Sequence, residues 1–498
     1  MAKKRRPYLN RRAFLKGTGS SLLGLGMAPL WMRDARAQVC GEADPVFLIH
    51  ATFDGAWDQL LALDPRDDTV YGNPSGGKSG LAIDSAYSHL AANGNAEIQT
   101  LLNQTGGTGI VQAGNLSFGP AVGRLAEGGL HNDLAIVRGI NMGTLTHEVG
   151  RRYFLTGKFP QGLAANGNAM GTWVASQFAD DGQCPIPNLV VGMETFNADQ
   201  AQYASGLKVN NTSDILSVLL PLDPTGGLQG PGLGALDMYL NSNSSTCGRV
   251  MFDGEQMVTR YLESRAASIN LLESSLAEYF TFNTNPSSPG FNPDLTPLYD
   301  LFLPGWNEGG GGGNQVSQLL EGSAGQAMIA AQAITKGVSR AVSVELVTGL
   351  DHHNDTFVDD HATLLRTGFN ALADLITYLK TQQLGETGSS YWDHTVLVVT
   401  SDFARTPGLN TRGGRDHHLC SSCLVGGKGI KTNQVVGASV EETMDFLDTN
   451  LTTGAAVPIG QGWTVRPSDI QATILQAAGL DASNLSNQNP QIVQALLK

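Results

Sequence analysis

Apolar positions along the chain fall into two kinds of run. Val46 to His50, Asp133 to Arg138, Ile186 to Val191, Ala341 to Val347 and Thr395 to Thr400 are short and nearly continuously apolar. Strands buried on both faces read this way, as in parallel sheets. Leu424-Val425 predicts one more short strand. Between these runs the spacing changes to a helical period. It predicts helices from His147 towards Gly157, over Gly322 to Lys336, and over Asp360 to Leu384. A last helix is expected over Asp469 to Ala478, with Ser468 as its N-cap and Gly479 closing it. Strands alternating with helices predict an α/β fold, a mostly parallel sheet flanked by helices. Residues from about 195 to 330 differ. They hold Ser/Asn clusters, a helical pattern from Gly254 to Phe280, a Pro-rich stretch and the run Gly309 to Gly313. These residues read as an insertion or cap with a flexible linker.

The 498 residues are 41% hydrophobic and 15% charged, enough apolar material for a large core. Beyond residue 40 no apolar stretch reaches the ~18 positions of a membrane span. The charge is uneven. The first 37 residues hold nine Lys or Arg and one acid, Asp34, which leaves 22 basic and 44 acidic residues and a charge near −22. Such a body repels phosphate backbones, so nucleic acid is not an expected partner. An acidic surface also serves solubility.

The basic start has the order of an address. Arg11-Arg12-Ala13-Phe14-Leu15-Lys16 is followed by a mildly apolar run from Gly17 to Trp31 and by Ala35-Arg36-Ala37. This is a basic region, a short apolar region and an A-x-A cleavage site. Its core looks like a twin-arginine export signal. Residues 1–37 are therefore expected to be removed after export by the twin-arginine machinery. A domain over 38–498 would act in the periplasm or outside the cell, with no stable membrane span. Five cysteines suit an oxidising compartment. Cys184 and Cys247 could pair. Cys420-x-x-Cys423 reads as a small-loop disulfide, with a zinc clip as the alternative.

In α/β sheets ligands gather beyond the carboxyl ends of the strands. Polar residues are expected there, and they occur there. Asp54 and Asp58 follow the first run; Thr144, Thr146 and His147 follow the second. Asp351-His352-His353-Asn354-Asp355 follows the run from Ala341, Ser401-Asp402 follows that from Thr395, and a Gly-rich loop brings Asp416-His417-His418. Each alone could be a turn or cap residue. Together, oxygen and imidazole donors from several strand ends suit a site for one or two divalent metal ions. A hydroxyl such as Thr146 beside such ions could lose its proton and attack phosphorus or sulfur.

The same segments resemble a bacterial family, domain of unknown function 1501, in the alkaline-phosphatase and sulfatase-like superfamily. Its early Leu-Arg-Gly-Gly-Ala-Asp-Gly-Leu signature is similar to Phe53 through Leu60, with Asp54 standing for the basic residue. Its Ser-His motif falls on Thr146-His147 and its Trp-Asp-Thr-His on Leu350 to His353. Its Ser-Glu-Phe-Gly-Arg-Thr falls on Ser401 to Thr406, and its Gly-Gly-Thr-Asp-His-Gly on Gly413 to His418. The resemblance implies an alkaline-phosphatase-like architecture. It implies metal-dependent hydrolysis of a phosphate or sulfate ester, on a small molecule or a polymer. Asp58, Asp351, His353, Asp402, His417 and His418 are the expected metal ligands. His147 stands close by, Thr146 is the expected nucleophile, and Arg405 is expected to clamp an oxyanion. The alternative is a non-catalytic periplasmic binding or assembly protein that keeps the fold and uses metal for structure.

Overall fold

The structure, a computed structural model, describes residues 45–72, 83–178, 184–211, 214–215, 276–307, 313–385 and 388–498. The expected export signal, Cys247, the glycine run over 309–312 and most of the helix expected over 254–280 lie outside the described residues.

Eight strands form one sheet: β1 (Phe47–Phe53), β2 (Leu134–Asn141), β3 (Asn188–Val191), β4 (Leu207–Val209), β5 (Ala341–Val347), β6 (Thr395–Ser401), β7 (Cys420–Gly427) and β8 (Gln434–Val436). Their order is β8-β2-β7-β6-β1-β5-β3-β4. All neighbours pair parallel except β7, which runs antiparallel to β2 and β6. The sheet is mixed, mostly parallel and flanked by helices, as the pattern predicts. These helices are α1 (His147–Thr156), α2 (Met170–Ser176), α3 (Ser323–Thr335), α4 (Ala362–Thr381) and α5 (Pro467–Ala477).

Side chains alternate across a strand, so a doubly covered strand feeds two cores. Phe47, Ile49, Ala51 and Phe53 of β1 pack with Met328 and Ile329 of α3 and Leu365 and Phe369 of α4. On the other face Leu48, Val396 and Val398 pack with Phe154 of α1, Val174 of α2 and Ile470 of α5. That second face turns polar towards the carboxyl ends of the strands. There His50 Nε2 lies 2.9 Å from Thr400 Oγ1. Burial lowers the His50 pKa to about 4, so the ring is neutral at pH 7.

Three local expectations change. The strand anticipated at Leu424-Val425 is eight residues long and central, hidden in sequence by its Ser-Ser start and Gly-Gly end. Helix α5 begins at Pro467, whose missing N–H suits a first helical position. Its cap is Arg466, whose backbone N–H donates to Asp469 Oδ2 at 2.8 Å, while Ser468 is buried in the first turn. Cys420 and Cys423 are free and buried. Both lie on β7, where residues three apart are separated by roughly 10 Å of extended chain, too far for a disulfide or a shared ion. Cys184 is disulfide-bonded. Within the span 195–330, β4 forms a sheet edge, and Leu298, Tyr299 and Phe302 join the core beneath α3 and α4. No helix among the described residues is long and apolar enough to cross a membrane.

Candidate metal centre

Two of the side chains at the carboxyl ends arrive from loops after strands, and two from elements the strands position. Asp351 follows β5 and His353 lies two residues on. His147 is the first residue of α1, reached from β2. His417 sits on a two-residue strand whose register places it opposite Arg405, just past β6. Helix α1 settles deeply because it presents Gly150 to the chain at Asp402. A Cβ there would stand 2.1 Å from the Asp402 carbonyl oxygen.

These side chains converge on one point. His147 Nε2 is 3.1 Å from His417 Nε2 and 3.2 Å from Asp351 Oδ1. His353 Nε2 is 2.9 Å from His417 Nε2 and 3.0 Å from Asp351 Oδ1, and His417 Nε2 is 3.5 Å from that oxygen. His147, Asp351 and His417 thus form a group that could hold a metal ion, with His353 alongside. Donors about 2.0–2.1 Å from a common ion, at angles of 90–110°, stand about 2.9–3.4 Å apart.

The far nitrogen of each ring is already bound. His147 Nδ1 lies 2.6 Å from Asp402 Oδ2, His353 Nδ1 2.8 Å from Asp416 Oδ1, and His417 Nδ1 2.7 Å from the Leu145 carbonyl. A carbonyl accepts only, so Nδ1 of His417 carries the proton and its Nε2 presents a lone pair. A carboxylate accepts likewise, so Nδ1 of His147 and of His353 carries a proton. Burial opposes the charged ring of His147, but the Asp402 hydrogen bond raises its pKa, so its Nε2 presents a lone pair in the neutral form alone. Burial lowers the His417 pKa, which favours that neutral form. Lone pairs 2.9–3.1 Å apart repel one another unless a cation lies between them. Phe403, fully buried, supports the rings of His147 and His417 from below, each at a centroid distance of 4.7 Å. The group faces water: the Asp351 side chain is 51% exposed.

Other expected site residues stand further back. Asp402 contacts His147 and takes the Gly55 N–H at 3.2 Å; it orients a candidate ligand and is not in the group. Asp58 is buried, paired with Arg415 Nε at 2.7 Å, and its Oδ1 accepts the Leu61 N–H at 3.1 Å. A carboxylate used to stabilise a buried guanidinium and a turn does not reach the group. His418 points to the other side of its short strand, with Nε2 3.6 Å from Asp445 Oδ1. Two-residue alternation separates it from His417. Arg405, expected to face an oxyanion, is turned inward. Its side chain has no exposure, its Nε donates to the Ala56 carbonyl at 3.0 Å, and Nη2 meets Asp351 Oδ1 at 2.5 Å and the Gly55 carbonyl. Burial opposes ionisation of Asp351, but this guanidinium wins and holds the carboxyl well below the usual carboxylate range. Arg405 therefore aims Asp351. Thr146 occupies the N-cap position of α1, exposed and with no side-chain capping bond.

Asp416 and the Leu145 carbonyl are functional partners that the sequence reading left unassigned. The adjacency Asp416-His417 was a usable signal for the first. A backbone carbonyl leaves none.

The molecule is thus an α/β protein with a His/Asp group at the carboxyl edge of a mostly parallel sheet. Residues 311–491 match the family described as "Protein of unknown function (DUF1501)", in line with the motif resemblance. No curated protein matches the chain. Among solved structures it is similar to Ps i-CgsB, at 9% identity over 90% of this chain and 75% of that one, TM-score 0.34. It is also similar to BT4656 in complex with its substrate D-glucosamine-2-N,6-O-disulfate, at 10% identity, 88% and 77% coverage and TM-score 0.30. The PsFucS1 sulfatase from Pseudoalteromonas sp. aligns at 11% identity, with 92% and 73% coverage and TM-score 0.31. The correspondence is loose at these scores, and the chemistry of the site rests on its own geometry.

Proposed function

We propose that the protein is an exported, metal-dependent hydrolase of phosphate or sulfate esters. The observation that carries this reading is the meeting of imidazole lone pairs and one carboxylate oxygen, each ring backed at Nδ1 by an acceptor. Metal-binding histidines are oriented in this way. His147, Asp351 and His417 would hold a divalent ion, with His353 beside them. A bound divalent ion supplies Lewis acidity towards an ester oxygen. Asp402, Asp416 and the Leu145 carbonyl keep the rings aimed, and Arg405 aims Asp351. Thr146, exposed at the start of α1 and free of capping duty, is the proposed nucleophile. The open face at Asp351 favours chemistry over a closed structural site. The motif resemblance to the alkaline-phosphatase and sulfatase-like superfamily supports the ester class, and the disulfide at Cys184 supports an oxidising compartment.

Metal analysis of the purified protein, paired with aryl-phosphate and aryl-sulfate assays, tests the reading. About one equivalent of divalent metal is expected, lost in His417→Ala. Turnover of one ester class should be abolished by a chelator and restored by metal. Thr146→Ser should keep activity, and Thr146→Ala should lose it while still binding metal. A protein that takes up no metal, or takes it up and hydrolyses neither ester, refutes the hydrolase.

A further inference from the structure

Two histidines beside the His/Asp group are bound to each other and not to it. His352 stands between Asp351 and His353 in the chain, yet it is buried while both neighbours reach the group. His361 has no exposure at all. It ends a π-turn, Phe357–His361, that leads into α4. Such wide turns are rare and gather at functional sites. Phe357, fully buried, packs its ring 5.0 Å from that of His361.

Hydrogen bonds fix the direction of the pair. The Asp58 N–H donates to His361 Nε2 at 3.1 Å. Burial, reinforced by the neighbouring His352, Arg405 and Arg415, holds the His361 pKa well below its ordinary value, so this ring is neutral. A neutral imidazole with Nε2 accepting carries its proton on Nδ1. That nitrogen stands 3.0 Å from His352 Nδ1 and donates to it. The His352 carbonyl accepts the Arg415 N–H at 3.1 Å, so its backbone is held as well.

The consequence falls on the residues either side of His352. His352 and His353 are adjacent and chemically alike, and something must choose which of them turns outward. The bond from His361 draws His352 in. Asp351 and His353 are left on the outer side, with Asp351 Oδ1 3.0 Å from His353 Nε2.

We propose that His361 is a positioning residue of the metal centre: by donating to His352 it selects which of the two adjacent histidines faces the ion and sets Asp351 and His353 side by side. This rests on the metal-binding part of the hydrolase reading. His361 itself touches neither ion nor substrate.

Substitutions at 361 separate the two bonds of its ring. Asn carries an amide N–H where Nδ1 stands, so His361→Asn keeps the donor to His352 and loses the acceptor for the Asp58 N–H. Gln places its amide oxygen near Nε2, so His361→Gln keeps that acceptor and loses the donor. In competition with a metal-binding dye, His361→Gln should bind metal about 10-fold more weakly than wild type, and His361→Asn within about threefold. Thermal midpoints should run the other way, because His361→Asn leaves a buried backbone N–H unpaired. The visible spectrum of cobalt-loaded protein should shift in His361→Gln and stay in His361→Asn. Nitrogen NMR of metal-free, histidine-labelled wild type should place the proton on Nδ1 of His361 and on Nε2 of His352. Metal affinity that follows the midpoint, or is unchanged in both variants, overturns the proposal, as does a His361 proton on Nε2. Failure of the metal centre looks different: the wild type then takes up no metal, and this role falls with it.

Discussion

Asp402→Ala gives a graded test of the centre, because the partners behind two of its rings differ in their access to water. Asp402 Oδ2 stands 2.6 Å from His147 Nδ1 with a side chain 2% exposed. Asp416 Oδ1 stands 2.8 Å from His353 Nδ1 with a side chain 49% exposed. Removing Asp402 leaves the imidazole N–H without an acceptor where water has little access. A charge-assisted bond in such a place is worth roughly 1.5–3 kcal/mol. The corresponding loss of metal affinity is about 10–100-fold. Removing Asp416 lets water take over the acceptor role, so the loss there should stay within about fivefold. Asn at 402 retains an oxygen acceptor without the charge and should fall between wild type and Ala. Competition with a metal-binding dye on stripped and reloaded protein reads these affinities, and circular dichroism checks that each variant is folded. If Asp402→Ala loses no more affinity than Asp416→Ala, His147 is not a ligand oriented by Asp402, and the convergence has been misassigned.

Other positions give independent checks. Arg11→Lys with Arg12→Lys should leave the precursor in the cytoplasm, since a twin-arginine receptor reads that pair; fractionation showing normal export would assign the protein to the general route. Asp374 on α4 has its pKa raised to about 7, burial outweighing the Arg124 contact. An acid whose folded pKa is raised costs nothing below its unfolded value near 4, and costs progressively more as pH rises to 7. Asp374→Asn should therefore improve relative to wild type by up to about 3–4 kcal/mol between pH 4 and pH 8 in urea denaturation; a pH-independent difference would contradict this. Gly150→Ala places a Cβ 2.1 Å from the Asp402 carbonyl, so α1 must lift. It should lower the thermal midpoint and weaken metal binding together, and a midpoint within a degree of wild type would show that α1 is not seated as described.

Much of the framework could be read from local pattern. Strand β5 coincides with the run Ala341 to Val347, and α3 lies one residue inside each end of its predicted range, because hydrophobic period is a property of neighbouring residues. The strand-end rule brought Asp351, His353 and His417 to one edge for the same reason: once the strands are placed, the loops after them must meet there. What the local pattern could not decide is depth. Asp58 and Asp402 are both Asp after parallel strands, yet Arg415, far along the chain, takes the first, and His147, 255 residues away, takes the second. Whether a carboxylate faces an ion, backs a histidine or neutralises a guanidinium turns on contacts of about an ångström between segments with no shared periodicity. The antiparallel course of β7 and the inward turn of Arg405 are set in the same way, by tertiary packing that chooses among chemically equivalent uses of one side chain.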